Sequence, residues 1–282
     1  KFNALQIGIL LSLFQFSRII APNFWGWLAD HTGQRTKWIR VTAFFGFLGF
    51  CAVFWADTFY LMFFSMMAMS IFTSSTLPLV ESLTLSHLST SKGNSGYTRI
   101  RLWGSVGFIA AALILGYLID LFTVQSLVWA LLLTQGTIFI LTCYIPEKKD
   151  KAVYLIKRSI FAVIRNPEVI CILLGCGLMV SSHGLLYNFY SIFLKSNDYS
   201  SFSIGLLWSI GVFFEIFMFL LMPKILNKIN LKQILLISLA LGVIRFFLIG
   251  AFVNSIYIII FAQILHAATF GSFHVASIQI IE

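Results

Sequence analysis

Nine apolar stretches of about 20 residues, separated by short polar links, decide what this chain can become. They run roughly over 4–28, 38–56, 59–84, 102–120, 124–145, 168–193, 203–223, 233–253 and 256–280. A helix needs about 20 residues to cross about 30 Å of hydrocarbon. Backbone amides in lipid find no water, and a helix satisfies its own hydrogen bonds. The predicted fold class is therefore an all-α integral membrane protein. Composition agrees, because only 10% of residues are charged and 59% are hydrophobic, whereas a soluble domain carries roughly 25% charged residues. Thirty Phe and seven Trp suit a lipid-facing surface with interfacial anchors.

The charges alternate from link to link. Apart from Lys1, Lys195 and two residues inside spans, Arg18 and Arg245, every Lys and Arg falls in one alternate set of links. By the positive-inside rule that set is cytoplasmic, with the first residues outside and Glu282 inside. The net charge of +9 thus reports topology, and no nucleic-acid partner is expected. Cys51, Cys143, Cys171 and Cys176 lie in apolar stretches without ligand spacing, so free thiols and no metal site are expected. No GxSxG, HExxH or paired acidic motif is present, which argues against an enzyme. The link from Pro146 to Pro167 interleaves apolar residues with Lys157, Arg158 and Arg165, as a basic helix on the cytoplasmic leaflet would. It separates an N-terminal bundle, 1–145, from a C-terminal bundle, 168–282, with 146–167 as the central loop.

The most telling link is Gly26-Trp27-Leu28-Ala29-Asp30-His31-Thr32-Gly33-Gln34-Arg35. Its GxxxDxxGxR pattern resembles the loop between the second and third spans of the major facilitator superfamily, although Gln34 stands where a second basic residue is common. The resemblance implies twelve spans in two six-helix bundles joined by a long cytoplasmic loop. This chain would then be a fragment holding nine of them, spans two to ten. Tyr97–Phe108 is similar to the start of span five in the lactose-permease-like and nucleoside-symporter-like branch. Arg18–Pro22, His183-Gly184 and His266–Gly271 resemble the 3-phenylpropionate permease type. In such a family the loop acts as a conformational latch, with Gly26, Asp30, Gly33 and Arg35 as its residues here. Asp30 is expected just past the end of one helix and Arg35 near the start of the next.

An ionisable residue at bilayer depth is costly and is usually paired or set against a cavity. Glu215, Arg245, His183 and His266 fall on four spans at similar depth. The layout is similar to the proton-coupling cluster of lactose permease, which implies Glu215 as proton carrier, Arg245 as its electrostatic control and His266 as a partner. Thr269 stands where that cluster has a second carboxylate. His183, Tyr187 and Tyr190 share one helix face, suited either to a ring-bearing solute or to ordinary packing. Arg18 and His274 complete the substrate-binding candidates. Glu81 and Arg101 are expected as a structural pair. The expected function is proton-coupled uptake of a small organic solute, such as an aromatic acid, by alternating access. Sugar or nucleoside symport, and drug or metabolite efflux by antiport, remain alternatives. The proton is the coupling ion, with no cofactor. The expected partners of a monomer are its small-molecule substrate and the bilayer, in a plasma membrane such as a bacterial inner membrane.

Overall fold

A computed structural model describes residues 2–88, 95–146 and 167–281, with the side chains of 88, 95–99, 101, 168, 278 and 281 left aside. The basic helix expected within 146–167 therefore lies outside the described residues. In chain order the helices are α1 (Ala4–Thr32), α2 (Arg35–Val53), α3 (Phe59–Leu88), α4 (Ser95–Leu121) and α5 (Gln125–Cys143), then α6 (Pro167–Ser196), α7 (Ser201–Leu226) and α8 (Leu231–Ala251). A last span comprises α9 (Ile256–His266), a π turn (Ala267–Gly271) and α10 (Ser272–Ile281). Among the described residues, nine segments are long and apolar enough to cross a membrane. Large apolar side chains such as Leu133, Val243 and Tyr257 stay exposed around the helices, as lipid contact requires.

Helix ends follow local chemistry. Asn3 and Asn230 each form a capping box, with Gln6 and Gln233 respectively. Ser200 caps α7 by accepting from the Ser203 amide at 3.0 Å. Gly33 ends α1 with φ of 63°, a left-handed conformation that glycine adopts without steric cost. Pro22 inside α1 cannot donate to the Arg18 carbonyl one turn earlier, which weakens the ladder at that charged residue.

By internal contacts the chain forms two units, Lys1–Arg99 with Leu127–Ile156, and Ile100–Ser126 with Lys157–Glu282. Chain order sets α4 among the first five helices, while its contacts group most of it with α6 to α10. In the first unit, α2 turns a narrow stripe of Thr36, Ile39, Ala43, Gly46 and Phe50 inward at helical spacing. Thr76 of α3 donates to Thr42 of α2 at 3.2 Å. Ala29, Ile39, Leu79 and Leu83 form an apolar cluster near the loop end of α1. Arg40 reaches the end of α5 and donates to the carbonyls of Thr142 (3.2 Å), Cys143 (3.3 Å) and Ile145 (2.8 Å). They lie at or just beyond the C-terminus of α5, where carbonyls lack helical partners or, like that of Thr142, have only the Ile145 amide at 3.3 Å, and the guanidinium also opposes the partial negative charge there.

In the second unit an apolar cluster of Leu186, Tyr190, Leu194, Ile204, Leu207, Ile249, Ile259 and Ala262 fills the half toward the link between α6 and α7. A smaller one of Met222, Ile234 and Ala276 fills the half toward the link between α7 and α8. The polar residues of the site lie between them. Tyr199, in the link between α6 and α7, donates to the Val253 carbonyl at 2.6 Å, and burial pushes its phenol pKa up. The Arg40 contacts set one expectation. Arg40→Ala should destabilise the first unit by about 1–2 kcal/mol, and Arg40→Lys should recover part of that. Thermal unfolding in detergent measures both, and equal midpoints for wild type and Arg40→Ala would contradict the assignment.

Candidate functional site

Polar side chains within the second unit are few and deeply buried. Exposure is 1% for His183, 0% for Arg245 and Gln263, 4% for His266 and 0% for Thr269. A guanidinium in such a place needs partners or its desolvation is uncompensated. Arg245 on α8 donates from Nε to the Ala262 carbonyl at 3.0 Å. Its Nη1 lies 3.4 Å from His183 Nε2 on α6. The guanidinium also stands over the Phe246 ring, 5.5 Å from its centroid.

The same contacts define the His183 tautomer. His183 Nδ1 lies 3.0 Å from the Met179 carbonyl, which can only accept. Nδ1 must then carry the hydrogen, which leaves the Nε2 lone pair to accept from Arg245. Both ring nitrogens are engaged, so His183 positions Arg245. The π turn that follows His266 alters the backbone ladder of the last span: Ser272 donates to Ala267 at i→i−5, while Arg245 supplements the bonding of Ala262 one turn before it.

Glu215 on α7 lies with Oε2 3.9 Å from His266 Nε2, within ion-pair reach but longer than a hydrogen bond. The rings of His266 and His183 are 5.7 Å apart. The sequence reading makes Arg245 the electrostatic control of Glu215, with His266 as a partner. One chain of contacts runs from Glu215 to His266, across to His183, and on to Arg245. Gly211 lets α7 approach α9, since a methyl there would stand 3.1 Å from Gln263 Oε1 and 3.4 Å from His266 Cδ2.

Rings line this cluster. His266, Phe270 and His274 form a column, with centroids 5.4 and 6.1 Å apart and planes tilted by 13° and 10°. Tyr187 stacks on Trp208 at 5.9 Å, while Tyr190 meets the same indole edge-on at 5.3 Å. Thus Tyr187, 46% exposed, and Tyr190, buried, sandwich a corner of Trp208. Among the described residues, Arg245 Nη2 and His266 Nδ1 are buried without a hydrogen-bond partner, while Tyr190 Oη and the Gln263 amide face each other outside good hydrogen-bond geometry. Several unmet groups in one unit are unusual, because buried polar atoms are nearly always paired. Gln263 and Trp208 are absent from the sequence-based candidates. Gln263 was findable, being a lone amide three residues before His266 in an otherwise apolar run.

The other candidates, Arg101 excepted, belong to the first unit. Asp30 sits inside the last turn of α1, which continues to Thr32, and not beyond the helix end. Arg35 donates to Asp30 Oδ1 from Nη2 at 2.8 Å and from Nε at 3.1 Å, clamping the turn at Gly33. Trp38 Nε1 donates to Thr32 Oγ1 at 2.8 Å and reinforces it. A methyl at Gly26 would meet nothing within 4 Å. Arg18 belongs to the first unit, exposed, with its guanidinium 5.7 Å from the Phe14 ring centroid. Glu81 is half-buried on α3, and the Arg101 side chain lies outside the described residues, as does the pair expected between them. Among the described residues, no group of three or more His, Cys, Asp or Glu is placed to hold a metal ion.

The pattern described as the MFS_1 like family matches residues 1–282. The chain belongs to that family. This MFS_1-like chain is 28% identical to a probable 3-phenylpropionic acid transporter of Escherichia coli, over 98% of its own length and 73% of the relative's. It is 26% identical to the uncharacterized transporter YwbF of Bacillus subtilis, over 98% and 69%. A crystal structure of the nucleoside transporter NupG, in a D323A variant, superposes with a TM-score of 0.83 at 18% identity, covering 99% of this chain and 74% of that one. The fold is that of a major facilitator transporter. The chain is a multi-pass membrane transporter, and its relatives are transporters, not enzymes.

The Tyr190–Gln263 approach makes this MFS_1-like protein testable. If the two polar groups support each other, Gln263→Leu strands the Tyr190 hydroxyl and should cost about 1–3 kcal/mol, and Tyr190→Phe in the same background should recover part of it. Thermal unfolding in detergent measures the cycle, and additive effects of the two substitutions would contradict the pairing.

Proposed function

We propose that this transporter takes up a small organic acid together with a proton, by alternating access, in the plasma membrane of a bacterium. The observation that carries this reading is the Glu215–His266 contact at 3.9 Å, embedded in an apolar unit and linked through His183 to Arg245. A carboxylate in such surroundings is stable when protonated or when a cation faces it. Protonated Glu215 is neutral, so α7 can shift against α9 without carrying a bare charge through low dielectric. Movement of His266 or Arg245 toward Glu215 favours release of that proton on the other side. The guanidinium supplies a fixed positive charge for an anionic solute, and the rings of Tyr187, Trp208 and Phe270 supply apolar faces. An aromatic monocarboxylate matches both, and a relative that bears the name of a probable 3-phenylpropionic acid transporter supports this choice. Gly26, Asp30, Gly33 and Arg35 serve as the cytoplasmic latch of the cycle. No cofactor takes part, and the monomer is the working unit.

The test is uptake of 3-phenylpropionate, a sugar and a nucleoside by the complete gene product in vesicles with an imposed pH gradient. The aromatic acid should accumulate. Glu215→Gln should abolish accumulation but leave exchange of labelled solute across the membrane. If Glu215→Gln accumulates the acid like wild type, the proton does not travel on Glu215.

A further inference from the structure

At the outer end of the second unit, a carboxylate of one helix closes the N-terminus of another. Asp120, in the last turn of α4, accepts from the Ser201 amide at 2.9 Å through Oδ1 and from the Phe202 amide at 2.7 Å through Oδ2. Lys195, in the last turn of α6, lies 3.6 Å from Asp120 Oδ1 and donates to Ser201 Oγ at 3.3 Å. These two amides are among those that the first turn of α7 leaves open, and Ser200 satisfies the next. Asp120 is poorly placed for its own helix, because a negative charge at a C-terminus opposes the helix dipole. The position is favourable only while α7 is docked.

The same two helices touch backbone to backbone along a seam. A methyl at Gly205 of α7 would overlap the Ala112 carbonyl of α4, and one at Gly116 of α4 would stand 2.6 Å from the Ser201 carbonyl. Ala112, Gly116 and Asp120 are spaced four residues apart and so share a face of α4, which meets the start of an antiparallel α7. Along α7, Gly205 precedes Gly211 by about 9 Å and Glu215 by about 15 Å. The seam therefore lies on the outer side of the polar cluster, and it is held shut by small residues and by one exposed, water-accessible carboxylate.

We infer that Asp120 is a positioning residue for transport: its bonds to the α7 amides latch α4 against α7 and close the outer approach to the buried cluster. Two hydrogen bonds at a partly solvated helix end are strong enough to favour the docked state and weak enough to break in each cycle. Opening exposes the first-turn amides of α7 and Asp120 to water, which satisfies both, so the undocked state is not left with dry polar groups. The Glu215 and Arg245 cluster would then be reached from outside along the freed face of α7. The inference rests on the chain being a transporter and not on which solute or ion it moves.

A thiol reporter tests it. Ser209, one turn inward from Gly205 and 6% exposed, is changed to Cys in a background carrying Cys51→Ser, Cys143→Ser, Cys171→Ser and Cys176→Ser. A membrane-impermeant thiol reagent is added from outside. Asp120→Ala should raise the labelling rate about tenfold, because a lost docking contact shifts the population toward the open form. Lys195→Ala should raise it less, since that ion pair is longer and more exposed. An unchanged rate with Asp120→Ala reduces the contact to plain packing and overturns the inference. Should Asp120→Ala fail to fold, Asp120→Cys with Ser201→Cys gives the same readout. Oxidised, that variant should label slowly at position 209, and after reduction quickly. Equal rates, or failure of the two cysteines to oxidise together, would equally refute the latch. The labelling uses no solute, so its failure is distinct from a failure of the proton-coupled acid reading.

Discussion

The second unit is organised around one buried cation. Arg245 has no exposed surface, and its hydrogen bonds reach both neighbouring spans, to His183 on α6 and to the Ala262 carbonyl on α9. Removing the guanidinium from water is repaid only if those acceptors are held in place. Met179 orients His183, the π turn reshapes the last span just beyond Ala262, and Phe246 covers the guanidinium face. Apolar plugs above and below keep water away. Each of these features would be costly alone, and together they fix one geometry for the charge.

That geometry separates a positive centre from a titratable one. Glu215 approaches His266, whose ring contacts that of His183, the partner of Arg245. A direct Glu–Arg bridge would hold its proton-free form tightly and would resist reprotonation. Histidines along this route make the influence of Arg245 on Glu215 dependent on ring orientation, which is adjustable by small helix shifts. The cluster therefore suits a cycle better than a static bridge does.

Much of the fold was legible in the sequence because lipid imposes a simple code. Each apolar run became a helix; five of the nine run longer than the apolar part, two are shifted along the chain without lengthening, and α5 is shorter. The excess comes from polar turns such as the one that Ser200 caps at the start of α7, and from α1 continuing through Asp30 to Thr32. The depth of His183, Arg245 and His266 was also readable, since helical rise converts residue number to height. Their pairing was not, because rotation about each axis is set by neighbours that the sequence does not name. Hence Arg245 met His183 and the Ala262 carbonyl. Asp120 escaped notice for the opposite reason: at a helix end it looks like an ordinary solvated charge until its partner helix is in place. The π turn carries no sequence signal comparable to a proline.

The π turn has a consequence of its own. At roughly 4.4 residues per turn, its five residues turn the chain by about 410°, nearly the same as the about 400° that four residues turn in an α-helix. The turn thus absorbs one extra residue without changing which way the rest of the span faces. Phe273 and Ala276 stay on the buried side beyond it. What the extra residue alters is local: the backbone widens between His266 and Ser272, where the buried histidine stands. A deletion confined to Ala267–Gly271 would therefore leave the packing of α10 in phase and remove only that widening.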